Sequence, residues 1–258
     1  MPKILTISCL ALILCLPAFA KDKHQHAAPV RPSSAGDKWA EKTLKKLTVE
    51  EKVGQLFMIW CRASFLNLES PEYLELRDDM QKYHVGSFAM TVHVDGPLLL
   101  RTGPYEAAEL LNRLQKDSKL PLLFAADFER GVATRLVGTT NFPHAMAFGA
   151  DGKLEDAEAF GRITAQEARA VGVHWNFFPD ADVNSNPANP IINTRSFGED
   201  PKQVGDLVTA YIKGAHAGGM LTTVKHFPGH GDTATDSHLG VASLNVDRAH
   251  LESIELPP

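Results

Sequence analysis

Apolar residues fall along this chain in five short runs separated by polar, loop-forming stretches. Residues 53–60 (VGQLFMIW), 85–90 (VGSFAM), 120–126 (LPLLFAA), 171–178 (VGVHWNFF) and 219–224 (GMLTTV) are mostly apolar. Strands buried on both faces read this way, whereas a half-exposed strand alternates. Helical patterns lie between the runs. The clearest opens at Asp200-Pro201, with Asp as N-cap and Pro at the first helical position. Val204, Leu207, Val208, Tyr211, Ile212 and Ala215 then keep the spacing of one buried face, and Gly218-Gly219 ends the helix. Thr48 and Glu51 form a capping box just ahead of the first run. Strand and helix in alternation predict a parallel α/β sheet with right-handed crossovers, which a doubly wound sheet and a (β/α)8 barrel both satisfy. No GxGxxG follows the first strand and no GxxxxGK[ST] occurs, so a nucleotide-binding sheet has no support and no cofactor is expected.

The N-terminal pattern differs. Lys3 precedes an uncharged apolar stretch at residues 4–16, and Ala18-Phe19-Ala20 offers small residues where a signal peptidase cuts. Residues 1–20 therefore read as a signal peptide, too short to span a bilayer at about 20 apolar residues, and the protein as exported to the periplasm or secreted. Cys15 lacks the small preceding residue of a lipidation site. Loss of residues 1–20 leaves Cys61 as the one thiol, so no internal disulfide is expected. Residues 21–36 are polar and rich in Pro, Ser and Ala, a flexible leader whose His24 and His26 read as solvated. The whole chain of 258 residues is 44% hydrophobic and 22% charged, which permits a sizeable core and excludes collagen, coiled coil and wholesale disorder. Its formal charge of −5, with no basic run, argues against nucleic acid as a partner. Stable membrane insertion after signal removal is not expected, and the oligomeric state stays open.

In a parallel α/β protein the chemistry sits at the C-terminal ends of the strands. Polar residues do gather there. Asp127, Glu129, Arg130 and Arg135 follow the third run; a long loop at 179–200 holding Arg195 follows the fourth. Lys225, His226, His230, Asp232, Asp236 and His238 follow the fifth. His226 and His230 have the i, i+4 spacing of zinc ligands, but Pro228, Gly229 and Gly231 forbid the helix that spacing needs. Loop-borne dinuclear sites need a close H-x-H pair, which is absent, so no metal is expected. Asp236 and His238 suit acid–base work, because an Asp bonded to His fixes its tautomer and favours the imidazolium. A loop Asp merely capping a loop His reads the same way. Asp127 capping a helix, and Arg195 pairing with Glu199 or Asp200, are equally open from the residues alone.

Four segments in this order, LTVEEKVGQL (47–56), DFERGVATR (127–135), NTRSFGEDP (193–201) and KHFPGHGDTATDSH (225–238), resemble glycoside hydrolase family 3, and within it the β-N-acetylglucosaminidases. The resemblance implies a (β/α)8 barrel of the TIM type. Residues 37–258 would be its N-terminal part, with five of eight strand–helix units and so apparently truncated. It implies that Asp127 holds sugar hydroxyls and Arg135 supports the same ring. Arg195 would reach in from the fourth loop, and Lys225 and His226 would bond the sugar across a cis peptide. His238 would be the general acid/base and Asp236 its partner, with His230 and Asp232 shaping the loop. Arg130 stands where the family has Gly, so the rim there would differ. The implied activity is retaining removal of terminal β-linked N-acetylglucosamine from peptidoglycan- or chitin-type fragments. The family's nucleophilic Asp follows the DSH loop, and no segment here matches it, so this chain alone is expected to be inactive. The alternatives are a β-glucosidase-like exo-glycosidase and a non-catalytic sugar-binding remnant.

Overall fold

The computed structural model describes residues 33–96 and 98–258. The segment read as a signal peptide, and residues 21–32 of the leader, lie outside the described residues. The leader's end is not extended: the Ser33 hydroxyl accepts the Gly36 amide and starts helix α1 (Ser34–Leu44), so the last three leader residues are helical.

The Thr48–Glu51 capping box starts helix α2 (Val49–Gly54), with both reciprocal bonds made. That helix takes up Val53 and Gly54, so the first strand, β1 (Met58–Arg62), begins later than residue 53. Nor is the first run buried on both faces: Leu56, Phe57 and Trp60 are exposed. Among the described residues β1 has a neighbouring strand on one side only, which leaves this end of the sheet open. Helix α3 (Pro71–Gln81) leads to β2 (Ser87–Thr91), then to a hairpin of β3 (His93–Asp95) and β4 (Leu98–Leu100), and to helix α4 (Pro104–Asp117). Strand β5 (Leu123–Ala126), helices α5 (Ala145–Asp151) and α6 (Leu154–Ala170), β6 (Trp175–Asn176), α7 (Pro201–Ala217) and β7 (Leu221–Thr222) follow.

All five apolar runs contribute a strand to one parallel sheet in the order β1-β2-β5-β6-β7. Sequential strands stay neighbours, apart from the β3–β4 hairpin, which forms a separate two-stranded sheet. That progression is the winding of a TIM-type barrel, of which the sheet forms a part, with β1 and β7 at its two edges among the described residues. The core lies between sheet and helices, where Phe160, Phe178 and Tyr211 meet with ring centroids 4.8–5.7 Å apart. Helix α7 has the expected buried face, except that Ile212 is only half-buried.

Helices α6 and α7 approach closely through glycines. A Cβ on Gly161 would strike the Tyr211 carbonyl oxygen, and one on Gly214 the Glu158 carbonyl. Backbone atoms cannot rotate away as side chains do. Gly161→Ala is therefore expected to cost about 1–3 kcal/mol by overpacking, read as a lower urea midpoint at unchanged m-value. An unchanged midpoint would contradict this packing.

Candidate active site

Three strand ends bring the charged residues together. Asp127 follows β5 directly, and Glu129 two residues on. Beyond β6 the parallel ladder continues, with Ala181 N donating to Lys225 O at 2.7 Å and Lys225 N to Pro179 O at 3.2 Å. Asp180 and Asp182 alternate with Ala181, so both carboxylates fall on one side of the chain. Both are buried. Lys225 lies three residues past the end of β7, and its peptide bond to His226 is cis.

Lys225 Nζ donates to Glu129 Oε1 at 2.9 Å and Asp127 Oδ1 at 3.0 Å, and lies 3.6 Å from Asp180 Oδ1. Arg195, in a 3-10 turn at Asn193–Arg195, grips Glu129 with two bonds of 2.7 and 2.8 Å and approaches Asp180 Oδ2 at 3.2 Å. Its partners are therefore not Glu199 or Asp200. Arg135 Nη2 lies 3.7 Å from the other oxygen of Asp127. On the far side, His226 Nδ1 bonds Asp182 Oδ2 at 2.7 Å, and Arg195 Nη2 is 3.5 Å from His226 Nε2. Asp127, Arg135, Arg195, Lys225 and His226 are thus linked through a chain of polar contacts.

The network pushes its acids in opposite directions. Burial favours a neutral Glu129, but the Arg195 hydrogen bonds and the Lys225 charge outweigh it and bring the carboxyl down to about 2. Asp180 is fully buried and neither oxygen has a hydrogen-bond partner. Burial first, and the Glu129 charge second, hold it well above the usual carboxylate range against the pull of Lys225 and Arg195. For Lys225, burial works against the charge, but Asp180, Glu129 and Asp127 prevail and hold the ammonium more firmly than usual.

Asp236 and His238 pair on the exposed loop beyond. His238 Nδ1 lies 2.8 Å from Asp236 Oδ1, which also accepts the His238 amide at 2.9 Å. The imidazole is 74% exposed, and among the described residues its Nε2 has no protein partner. The His238 amide, then its ring, holds Asp236 below its ordinary range. His226 and His230 lie on irregular chain, their rings 5.8 Å apart. Asp180, Asp182 and His226 have candidate ligand atoms within 4.8 Å of one another. His226 and Asp182 bond each other, whereas Asp180 is approached by Lys225 and Arg195 without a hydrogen bond.

Sequence reasoning left Asp180 and Asp182 without a role and treated Glu129 as part of a motif. A usable signal existed: both aspartates follow the fourth apolar run, at the strand end where chemistry was sought.

Charged side chains converging at the C-terminal ends of a parallel sheet, beside a loop bearing an Asp–His pair, define a barrel-type α/β protein with a charged cluster at its strand ends. The chain belongs to glycosyl hydrolase family 3, whose N-terminal domain model matches residues 48–258. It is 33% identical over 220 residues to a beta-N-acetylglucosaminidase/beta-glucosidase of Cellulomonas fimi, covering 85% of this chain and 36% of that protein. A beta-hexosaminidase A of Pseudoalteromonas piscicida is 37% identical over 207 residues, covering 77% of this chain and 33% of that protein. The solved family 3 beta-N-acetylglucosaminidase of Paenibacillus sp. str. FPU-7 superposes with a TM-score of 0.72 at 36% identity, covering 82% of this chain and 39% of that one. The chain thus spans about a third of the length of these curated relatives.

Proposed function

We propose that this chain supplies the sugar-binding wall and the proton donor of an exported, retaining β-N-acetylglucosaminidase acting on peptidoglycan- or chitin-type fragments. The observation that carries the reading is the shared cluster of Asp127, Lys225, Arg195 and His226 beside a loop whose Asp236–His238 pair leaves His238 Nε2 free. Asp127 accepts from sugar hydroxyls; Lys225, Arg195, Arg135 and His226 donate to the same ring. In the first step His238, as imidazolium, gives its Nε2 proton to the glycosidic oxygen while a carboxylate attacks the anomeric carbon. In the second, neutral His238 takes a proton from the water that releases the sugar. The attacking carboxylate lies outside the described residues in this reading, since Asp127 is committed to the hydroxyls. A β-glucosidase-like specificity is the second reading, favoured by the Cellulomonas relative whose name joins both activities.

Calorimetry and turnover on residues 21–258 test this together. N-acetylglucosamine is expected to bind in preference to glucose, and aryl β-N-acetylglucosaminide to be released far below the ordinary enzyme range of about 1–10³ s⁻¹. Turnover within that range would place the nucleophile among these residues. Preference for glucose would favour the second reading, and no binding of either sugar would remove both.

A further inference from the structure

The Asp236–His238 loop has few ties to the body. Its internal bonds are local: Leu239 N and Gly240 N both donate to Asp236 O, and Asp236 holds His238. Among the described residues, one hydrogen bond from residues 234–246 leaves that segment. It joins Ser237 Oγ to His230 Nε2 at 3.2 Å.

His230 is well built to receive it. The residue is buried, and its amide donates to Asp182 Oδ1 at 2.7 Å, on the carboxylate that also holds His226. Asn189, itself buried, donates to His230 O at 2.7 Å and to Gly231 O at 3.0 Å. The His230 Nδ1 atom pairs with the Thr233 hydroxyl, which donates onward to His230 O. Thr233 spends its proton there, so it accepts from Nδ1–H, and Nε2 is left as an acceptor for the Ser237 hydroxyl. One ring therefore connects the exposed loop to the framework beside Lys225 and His226.

We propose that His230 is a positioning residue, whose bond from Ser237 latches the loop bearing Asp236 and His238 to the framework that also holds His226. Its use in catalysis rests on the assignment of His238 given above; the latch itself does not. Backbone relaxation measurements by NMR on the 258-residue chain after removal of residues 1–20 read it directly. In wild type the amides of residues 236–239 should have order parameters near the rigid-backbone value of about 0.85, and in Ser237→Ala below about 0.6. Ser237→Thr keeps the hydroxyl and should restore them. Helix α7 should not change in any variant, because Ser237 is exposed and its one side-chain hydrogen bond among the described residues goes to His230, outside that helix. Unchanged order parameters in Ser237→Ala, or loosening spread evenly through the chain, would overturn the latch. In a form that turns over, Ser237→Ala should lower kcat on poor leaving groups about tenfold with KM nearly kept, since the acid is misplaced rather than the sugar site. If the loop loosens while neither Ser237→Ala nor His238→Ala affects hydrolysis, the latch stands and the assignment of His238 falls.

Discussion

Glu129→Gln is expected to cost about 2–3 kcal/mol of stability at pH 7 and almost nothing near pH 2. The carboxylate is held by both Arg195 bonds and by Lys225, with 19% of its side chain exposed. Its folded-state pKa of about 2 lies below the ordinary 4.5. A depressed carboxyl stabilises the fold fully above its unfolded value, and that stabilisation is lost as pH falls from about 4.5 to about 2. The shift corresponds to about 3 kcal/mol, reduced somewhat by partial exposure. Asp180 has the opposite sign. Its raised pKa makes its contribution greatest below about 3.8 and lost as pH rises through the higher folded value. Asp180→Asn should therefore leave the acid-sensitive limb in place while Glu129→Gln flattens it. Urea denaturation at pH 7, 4, 3 and 2 measures both. A Glu129→Gln loss that is the same at every pH would mean the substitution acts through packing, not through charge.

The network behind that prediction was the least legible part of the sequence. Apolar runs betray buried strands because burial on both faces leaves no room for polar alternation, and each of the five runs yielded one. Boundaries were poorer. The capping box at Thr48 took Val53 into a helix, and the strand's edge position left Trp60 in solvent. The β3–β4 hairpin has three successive leucines, all exposed, a pattern that neither strand nor helix periodicity predicts. For the site, strand-end placement located the right segments but not the partners. Arg195 has acids four and five residues away, yet it grips Glu129, 66 residues distant, because its loop folds back over the β5 end. Such pairing depends on strand register and loop path, which local spacing does not encode. Of the residues the motif resemblance named, Asp127, Arg135, Arg195, Lys225 and His226 share one cluster while Asp236 and His238 pair on the loop beyond it, and nothing in it pointed to Asp180, buried beside Lys225 and Arg195.

His238→Ala is expected to lower hydrolysis of substrates with poor leaving groups by about 10²–10⁴-fold, the usual worth of a positioned general acid. The loss should shrink steeply as the leaving group improves, because an activated aryl oxygen departs with little need of a proton. The measurement is kcat/KM across a series of aryl and alkyl β-N-acetylglucosaminides, in a form of the enzyme that carries the attacking carboxylate. Asp236→Asn should act in the same direction but less, since it keeps a hydrogen-bond acceptor at Nδ1 while replacing the carboxylate by a neutral amide. The two variants together separate proton delivery from loop structure. Asp236 also accepts the His238 amide, so a purely structural pair would lose activity equally on every substrate when either member changed. A loss that follows leaving-group basicity in His238→Ala, with a weaker dependence in Asp236→Asn, requires that the proton pass through His238 Nε2, the ring nitrogen without a partner among the described residues.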